Sequence, residues 1–394
     1  MYQAREVDGY GRYSNRMIRA LQRAGHEVTP ILVEYLWSPA WMQRMWDVDW
    51  RGLTISCMPP YFLQKMQGPQ WALSMTEGSE LPEGWGECIN NAGVERVIVP
   101  CDYNAEGFRN GGVKAPVVVI LGGTDPEEFP ILPQCLKAKP DRIRPYTFLA
   151  LGDRGSRKGW IEVWQAFYAT FGTPTDTPDV RLVIKARPEM NHLLQRIAGA
   201  SNLDPRVSIQ IEDARNVADV YTQADCFVIP SRSEGWGMPH REAAMMGLPV
   251  ITLRYSGMDD GHTDQWAIVV DEHTIDRIPT SHESIQGLWA KADVATLART
   301  MRDCYEDPAW AQARGLAAAQ WLRRHQTWDH VAARLIAEIG AAGYDTRPTA
   351  PVQIAAPPVL VMPHTNGNGN GHMDYAVREV AVLVGQSDGS ELCR

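Results

Sequence analysis

The chain has no run of eighteen apolar residues, so no membrane-spanning helix is expected. Its first residues, MYQAREVDGYGRYS, lack the apolar centre of a secretory leader. Cysteine is scarce and unpatterned: seven residues, an odd number, with no C-x-x-C pair. That argues against a disulfide framework or a structural zinc site, and reads as reduced thiols in a cytoplasmic protein. Positive charge is short as well, with 38 Lys and Arg against 47 Asp and Glu and a formal net charge of −9. Broad binding to nucleic acid or to an anionic membrane surface is disfavoured, although a local basic patch is compatible with that balance.

What is present suits two domains with a tail: 394 residues, 44% of them apolar. The most informative stretch is residues 231–251, SRSEGWGMPHREAAMMGLPVI. Residues 226–230, CFVIP, form a short apolar run closed by a turn signal, which predicts a buried strand. Gly235 and Gly237 let the chain turn sharply and leave backbone N–H groups uncovered. Pro239 suits the first turn of a helix and Gly247 its end. Strand, glycine loop and helix N-terminus together make an anion site, because free N–H groups and the helix dipole both favour phosphate. Glu234 and Glu242 flank that cradle, where like charge rules out phosphate as their partner. Carboxylates there suit sugar hydroxyls, so the pattern points to a nucleotide-sugar site.

This segment resembles the E-x7-E region of retaining glycosyltransferases with the two-domain GT-B fold, in particular the family numbered four (group 1). Glu234, Gly235, Trp236, Gly237, Pro239, Glu242, Ala243, Gly247, Pro249, Val250 and Ile251 match that family's pattern. The alternative is an ordinary strand–loop–helix with solvated glutamates. Upstream, Gly152-Asp153-Arg154-Gly155-Ser156-Arg157-Lys158-Gly159 resembles the family's G-R-x-x-x-x-K-G, whose cations hold the donor diphosphate. Lys158 matches directly, while Arg154 lies one position late, so Arg154 or Arg157 takes the arginine role. Ser256, Gly257 and Lys185 are further donor-side candidates, as is Met238 through its N–H. His240 and His262 read as capping or surface residues. Asp47-Val48-Asp49 spells the D-x-D of metal-dependent transferases of another fold and reads as solvated carboxylates.

In the first half, Gly9-Tyr10-Gly11 reads as a glycine loop, with Gly11 a donor-side candidate. A helix through Met17, Ile18, Leu21 and Ala24 follows, then a strand over 28–33; only residues 2–7 remain for a preceding strand. Residues 37–71 are rich in Trp, Met and Pro without clear period. Of 14 tryptophans, several lie between Trp37 and Trp85, as core or as an aromatic acceptor surface. Residues 76–85 resemble the E-S-x-x-[LI]-P-x-x-W loop of a bacterial and phage-related branch. Glu77 is thereby an acceptor-side candidate, or else a solvated surface glutamate. Strands are expected at 97–100 and 117–121, with a helix starting near 102–108. Residues 122–129 resemble the N-G-V-D-P-x-x-F segment that closes the family's first domain.

The second half alternates strands (147–151, 181–185, 207–211, 226–229, 250–252) with helices (159–170, 217–224, 239–246), then turns helical from 293 to 342. Alternation of this kind implies a parallel sheet with right-handed crossovers. The resemblance implies an α/β GT-B fold, two Rossmann-like domains facing each other across a cleft. Its divisions are an acceptor-side domain at 1–140, a donor-binding domain at 141–325, a helix crossing back at 326–344, and a Pro/Gly/Asn-rich linker and tail at 345–394. It further implies a retaining, metal-independent, hexosyltransferase-like enzyme with no cofactor, a nucleoside diphosphate sugar as co-substrate, and an acceptor the sequence does not name. Glu234, Lys158 and Arg154 are then the catalytic candidates. The other readings are glycosylation of a nucleic-acid base or a phage structural protein, and a non-catalytic sugar-nucleotide-binding module. Synthases or epimerases of the same fold fit the short, Trp-rich first half less well.

Overall fold

In the computed structural model the described residues are 9–30, 52–136, 144–152, 156–186, 204–211, 216–279 and 285–347. The expected strands at 2–7 and most of 28–33, Asp47 and Asp49, Arg154, and the tail from 348 onward lie outside them.

The first lobe is a parallel sheet of β1 (Thr54–Cys57), β2 (Gln70–Leu73), β3 (Arg96–Val99) and β4 (Val117–Val119), in that spatial order. Around it lie α1 (Gly9–Arg23), α2 (Trp85–Asn91) and α3 (Asp102–Asn110). Strand alternation splits the core into two layers. Ala72, Val97 and Val99 pack with Ile89 and Phe108 on one face. Trp71, Leu73 and Ile98 pack with Tyr13 and Met17 of α1 on the other. β2 is therefore buried at all four positions, as a strand covered on both faces must be. Three expectations change here. Gly9-Tyr10-Gly11 is the first turn of α1 and not a loop. The aperiodic stretch 37–71 ends in β1 and the start of β2, strands too short for their alternation to show. Residues 28–30 carry no strand.

The second lobe holds β5 (Tyr146–Leu151), β6 (Val180–Lys185), β7 (Val207–Gln210), β8 (Cys226–Val228), β9 (Val250–Leu253) and β10 (Ile268–Val270). All pair in parallel, in the order β10-β9-β8-β5-β6-β7. The chain builds outward from β5 to β7, then returns to lay β8 on β5's other side. That reversal is a topological switch point, and the crevice beyond the carboxyl ends of β5 and β8 is where such sheets bind ligands. Helix α4 (Trp160–Phe171) follows β5 and α5 (Met238–Met245) follows β8. The helix expected over 217–224 is a 3-10 turn, Val217–Tyr221. Its entry is fixed by Asn216, whose side chain accepts from Ala218 N at 3.1 Å. An antiparallel pair outside the large sheet, β11 (His273–Arg277) and β12 (Leu288–Ala292), was not expected.

Three helices finish the described chain: α6 (Val294–Glu306), α7 (Pro308–His325) and α8 (Trp328–Ala341). Asp293 and Asp307 cap the first two, accepting from Thr296 N at 2.8 Å and Trp310 N at 2.9 Å. α8 leaves the second lobe and packs on the first. Trp328 meets the Tyr13 ring edge-on at 4.7 Å, and Val331 and Leu335 join the layer formed by Leu73 and Ile98. A Cβ on Gly123 would stand 2.6 Å from Trp328 N, so the chain can pass that helix start only with glycine there.

Candidate active site

The site stands where β5 and β8 end. Lys158 lies on the turn after β5 and Glu234 on the loop after β8, so adjacent strands deliver a cation and a carboxylate to one point. Glu234 Oε1 accepts from Lys158 Nζ at 2.5 Å and from Ser231 Oγ at 2.8 Å, and Oε2 lies 3.1 Å from Arg157 Nη1. Arg157 Nη1 also lies 3.0 Å from Glu77 Oε1, reached from the first lobe, and donates to Ser233 O at 3.2 Å. Burial alone would raise the Glu234 carboxyl. The Lys158 ammonium and then the Arg157 guanidinium outweigh it, and the group is held well below the usual carboxylate range.

The glycine loop is built as a cradle. Gly237 has φ 73° and caps α5, whose first turn holds Met238 and Pro239. Gly235 is glycine for a different reason than expected: its φ is not left-handed, but a Cβ would lie 2.9 Å from Met75 Cγ of the first lobe. Gly257 is pressed against the same loop, with Gly257 N donating to Glu234 O at 2.9 Å. Ser256 holds φ 54°, and its Oγ accepts from Glu234 N at 2.9 Å. Ser256 and Gly257 thus brace the loop from behind. Trp236 is buried at the lobe junction, so close to Gly122 that a Cβ there would lie 2.4 Å from its Nε1.

Glu242, one turn into α5, is 3% exposed. Its Oε1 takes Arg12 of α1 and its Oε2 takes Tyr221 Oη at 3.0 Å. Gly11, beside Arg12, is buried in α1. Lys185 ends β6 half-buried, and its carbonyl accepts from Gly152 N at 2.7 Å. Among the described residues it makes no hydrogen bond or ion pair with Glu234 or Lys158. His240, expected at the surface, is fully buried. Its Nε2 lies 3.2 Å from Ile229 O, and burial pushes the imidazole down to about 3 against the opposing charge of Glu234.

Three groups were not singled out from the sequence. Arg12 crosses to Glu242 from a helix more than two hundred residues away. Arg241 is wholly buried between Trp236 (3.6 Å to the ring centre) and Trp266 (4.4 Å), and pairs with Asp260 at 2.7 Å. It donates to the carbonyls of Trp236 and Gly257, tying both loops together, and Gln326 Nε2 reaches Asp260 at 2.9 Å. Asn104, in the first turn of α3, donates to Gly235 O at 2.9 Å. Arg241's unspecified place inside the motif was the one available signal.

Two α/β lobes closing on such a site define the class: the protein has the GT-B fold. Sucrose-phosphate synthase from Thermosynechococcus elongatus superposes with a TM-score of 0.55 at 19% identity, over 74% of each chain. Anabaena Alr3699/HepE, solved with UDP, gives 0.58 at 13% identity over 78% of this chain and 82% of that one. A UDP-forming trehalose-phosphate synthase from Burkholderia xenovorans gives 0.56 at 13% identity over 85% of both. Within the fold, residues 137–314 match the family model described as "Glycosyl transferases group 1". Glycogen synthase of Mycobacterium tuberculosis H37Rv is 32% identical over 110 residues, which is 28% of this chain and 22% of that protein's length.

Proposed function

We propose that the protein moves a glycosyl group from a nucleoside diphosphate sugar to an acceptor with retained anomeric configuration and without a metal ion. The observation that carries this reading is the pairing of Glu234 with Lys158 and Arg157 at the sheet's switch point. A diphosphate is the better partner for both cations, and a carboxylate the better partner for sugar hydroxyls. Donor binding therefore exchanges one set of ion pairs for two complementary contacts. Lys158 and Arg157, with Arg154 as a further candidate cation, take the diphosphate at the N-terminus of α5, and Glu234 takes the sugar. Glu242 suits the ribose: a carboxylate offers about four lone-pair sites, and Arg12 and Tyr221 use two.

In the transfer, the bond from the anomeric carbon to the β-phosphate oxygen breaks and the acceptor oxygen bonds to that carbon on the same face. The acceptor's proton passes to the departing phosphate. Charge grows on the leaving diphosphate, where fixed cations and backbone N–H groups contribute about 3–4 kcal/mol per donor. Lobe closure excludes water, the competing nucleophile.

Glu234→Gln tests this with UDP-, GDP-, ADP- and TDP-glucose, UDP first because structural neighbours were solved with it. We expect donor turnover to fall at least about 100-fold. Free nucleoside diphosphate should bind at least as tightly, since the cations lose their internal competitor. Wild-type turnover in the variant would remove Glu234 from the chemistry. Thermal stabilisation of wild type by none of the four would remove the donor class.

A further inference from the structure

The geometry points to Asn104 as a positioning residue that holds the loops of Glu77 and Glu234 in register across the cleft. This rests on the glycosyl-transfer reading above and adds a role outside its motifs. Asn104 is fully buried. Its Nδ2 donates to Gly235 O at 2.9 Å and to Cys101 Sγ at 3.1 Å, and its Oδ1 accepts from Thr76 N at 2.6 Å. Those partners come from both lobes: Thr76 follows β2, and Gly235 follows β8.

Each backbone partner is one residue from a carboxylate. Thr76 precedes Glu77 and Gly235 follows Glu234. The two carboxylates then meet on a single atom, Arg157 Nη1, at 3.0 and 3.1 Å. The contacts close a ring: Asn104, the Glu77 loop, Arg157, the Glu234 loop, and back to Asn104. A ring fixes relative position where one ion pair would leave a pivot. The amide is suited to its place because it donates from one atom and accepts at another, which an ionised aspartate or a leucine cannot do. Packing leaves the loops little other freedom. Cys101 Sγ lies 3.4 Å from Gly235 O, and Gly257 packs so close that a Cβ there would stand 2.6 Å from the Gly235 carbonyl. Asn104 does not hold the diphosphate; the cations proposed for that lie in the second lobe. Its loss should therefore misplace the carboxylates while leaving nucleotide binding in place.

The test uses the full-length protein, wild type and Asn104→Ala, with Asn104→Asp as an isosteric partner should the alanine variant melt early. Aspartate keeps the acceptor for Thr76 N and sets a carboxylate oxygen against the Gly235 carbonyl. UDP-glucose cleavage by water is followed without acceptor. Water's oxygen bonds to the anomeric carbon, UDP leaves with the bond's electron pair, and one water proton goes to solvent. We expect kcat to fall at least about tenfold in both variants, with the Kd for UDP within about threefold of wild type. Hydrogen exchange should quicken together in peptides covering 74–78 and 233–237. Unchanged kcat in a folded variant, or faster exchange confined to α3, would overturn the inference. If wild type neither binds nor cleaves any of the four nucleoside diphosphate glucoses, the transfer reading fails, and the paired exchange response alone decides whether Asn104 sets the register; if it uses another of the four, kcat and Kd are read with that donor and its diphosphate.

Discussion

At the scale of single residues, His240 carries a pH dependence with a definite sign. Unfolded, the imidazole gains a proton below about pH 6.5; folded, it stays neutral down to about 3. The folded pKa is the lower one, so the unfolded state binds more protons across that window and stability falls as pH falls. The slope reaches about 1.4 kcal/mol per pH unit for one group. Glu234 has the same sign, but its contribution is present above its unfolded pKa of about 4.3 and is lost only below that. The interval from pH 6 to 5 therefore isolates the histidine, whose charged neighbours are Glu234, Lys158 and Arg241. His240→Met leaves no orphaned carbonyl, because Thr252 Oγ1 also donates to Ile229 O at 3.1 Å. Urea unfolding at pH 7, 6 and 5 should show a slope in wild type that is smaller by about 1 kcal/mol per unit in the variant. Parallel curves would mean the imidazole is not held neutral. Glu234, Lys158 and Arg157 were legible in the sequence because the chemistry of each is carried by its own side chain at a fixed offset from a glycine. Asn104, Arg12 and Arg241 were not, since their roles come from partners that only folding supplies.

At the scale of elements, glycines show where backbones meet. Gly315 lies in the interior of α7, where replacement by alanine in a free helix gains about 1 kcal/mol. Here a Cβ would stand 2.3 Å from Gly247 O and 2.6 Å from Leu248 C, the chain that enters β9. Neither backbone can yield without moving a buried strand. We expect Gly315→Ala to destabilise by about 2 kcal/mol, measured by denaturant midpoint. Gly340 in α8 supplies the contrast. Its added Cβ would meet only the Thr346 side chain, Oγ1 at 3.4 Å and Cγ2 at 3.5 Å, and Gly340→Ala should be neutral or slightly stabilising. A stabilised Gly315→Ala would refute the close approach. Strands β5, β8 and β9 were readable because runs such as Phe148–Leu149–Ala150 and Cys226–Phe227–Val228 are buried on both faces and end at turn residues. The β11–β12 pair was not. His273–Arg277 is mostly exposed, without an apolar face, and the pair is held by others: Ala290 N donates to Arg232 O at 2.9 Å, and Leu288 N to Ser79 Oγ at 2.8 Å.

At the scale of the whole molecule, a row of arginines on α1 links the first lobe to segments that arrive later in the chain. Arg12 pairs with Glu242 of α5, Arg16 with Glu128, and Arg23 with Asp329 of α8. The row is not uniform in worth. Arg12 and Glu242 are 12% and 3% exposed, whereas Arg23 and Asp329 are 42% and 65% exposed. Water and salt screen the outer pair, whose net contribution should stay below about 0.5 kcal/mol. Removing one partner of the inner pair strands a buried charge, at a cost of about 3 kcal/mol. Arg12→Gln should therefore lower the unfolding free energy several times more than Arg23→Gln. A double-mutant cycle on Arg12 and Glu242 should give a coupling that persists at high salt, while the Arg23–Asp329 coupling vanishes. Equal couplings would mean the lobes part readily in solution and the inner pair is as wet as the outer. Unequal ones make Arg12 a water-shielded link between the first lobe and the carboxylate proposed to hold the donor's ribose.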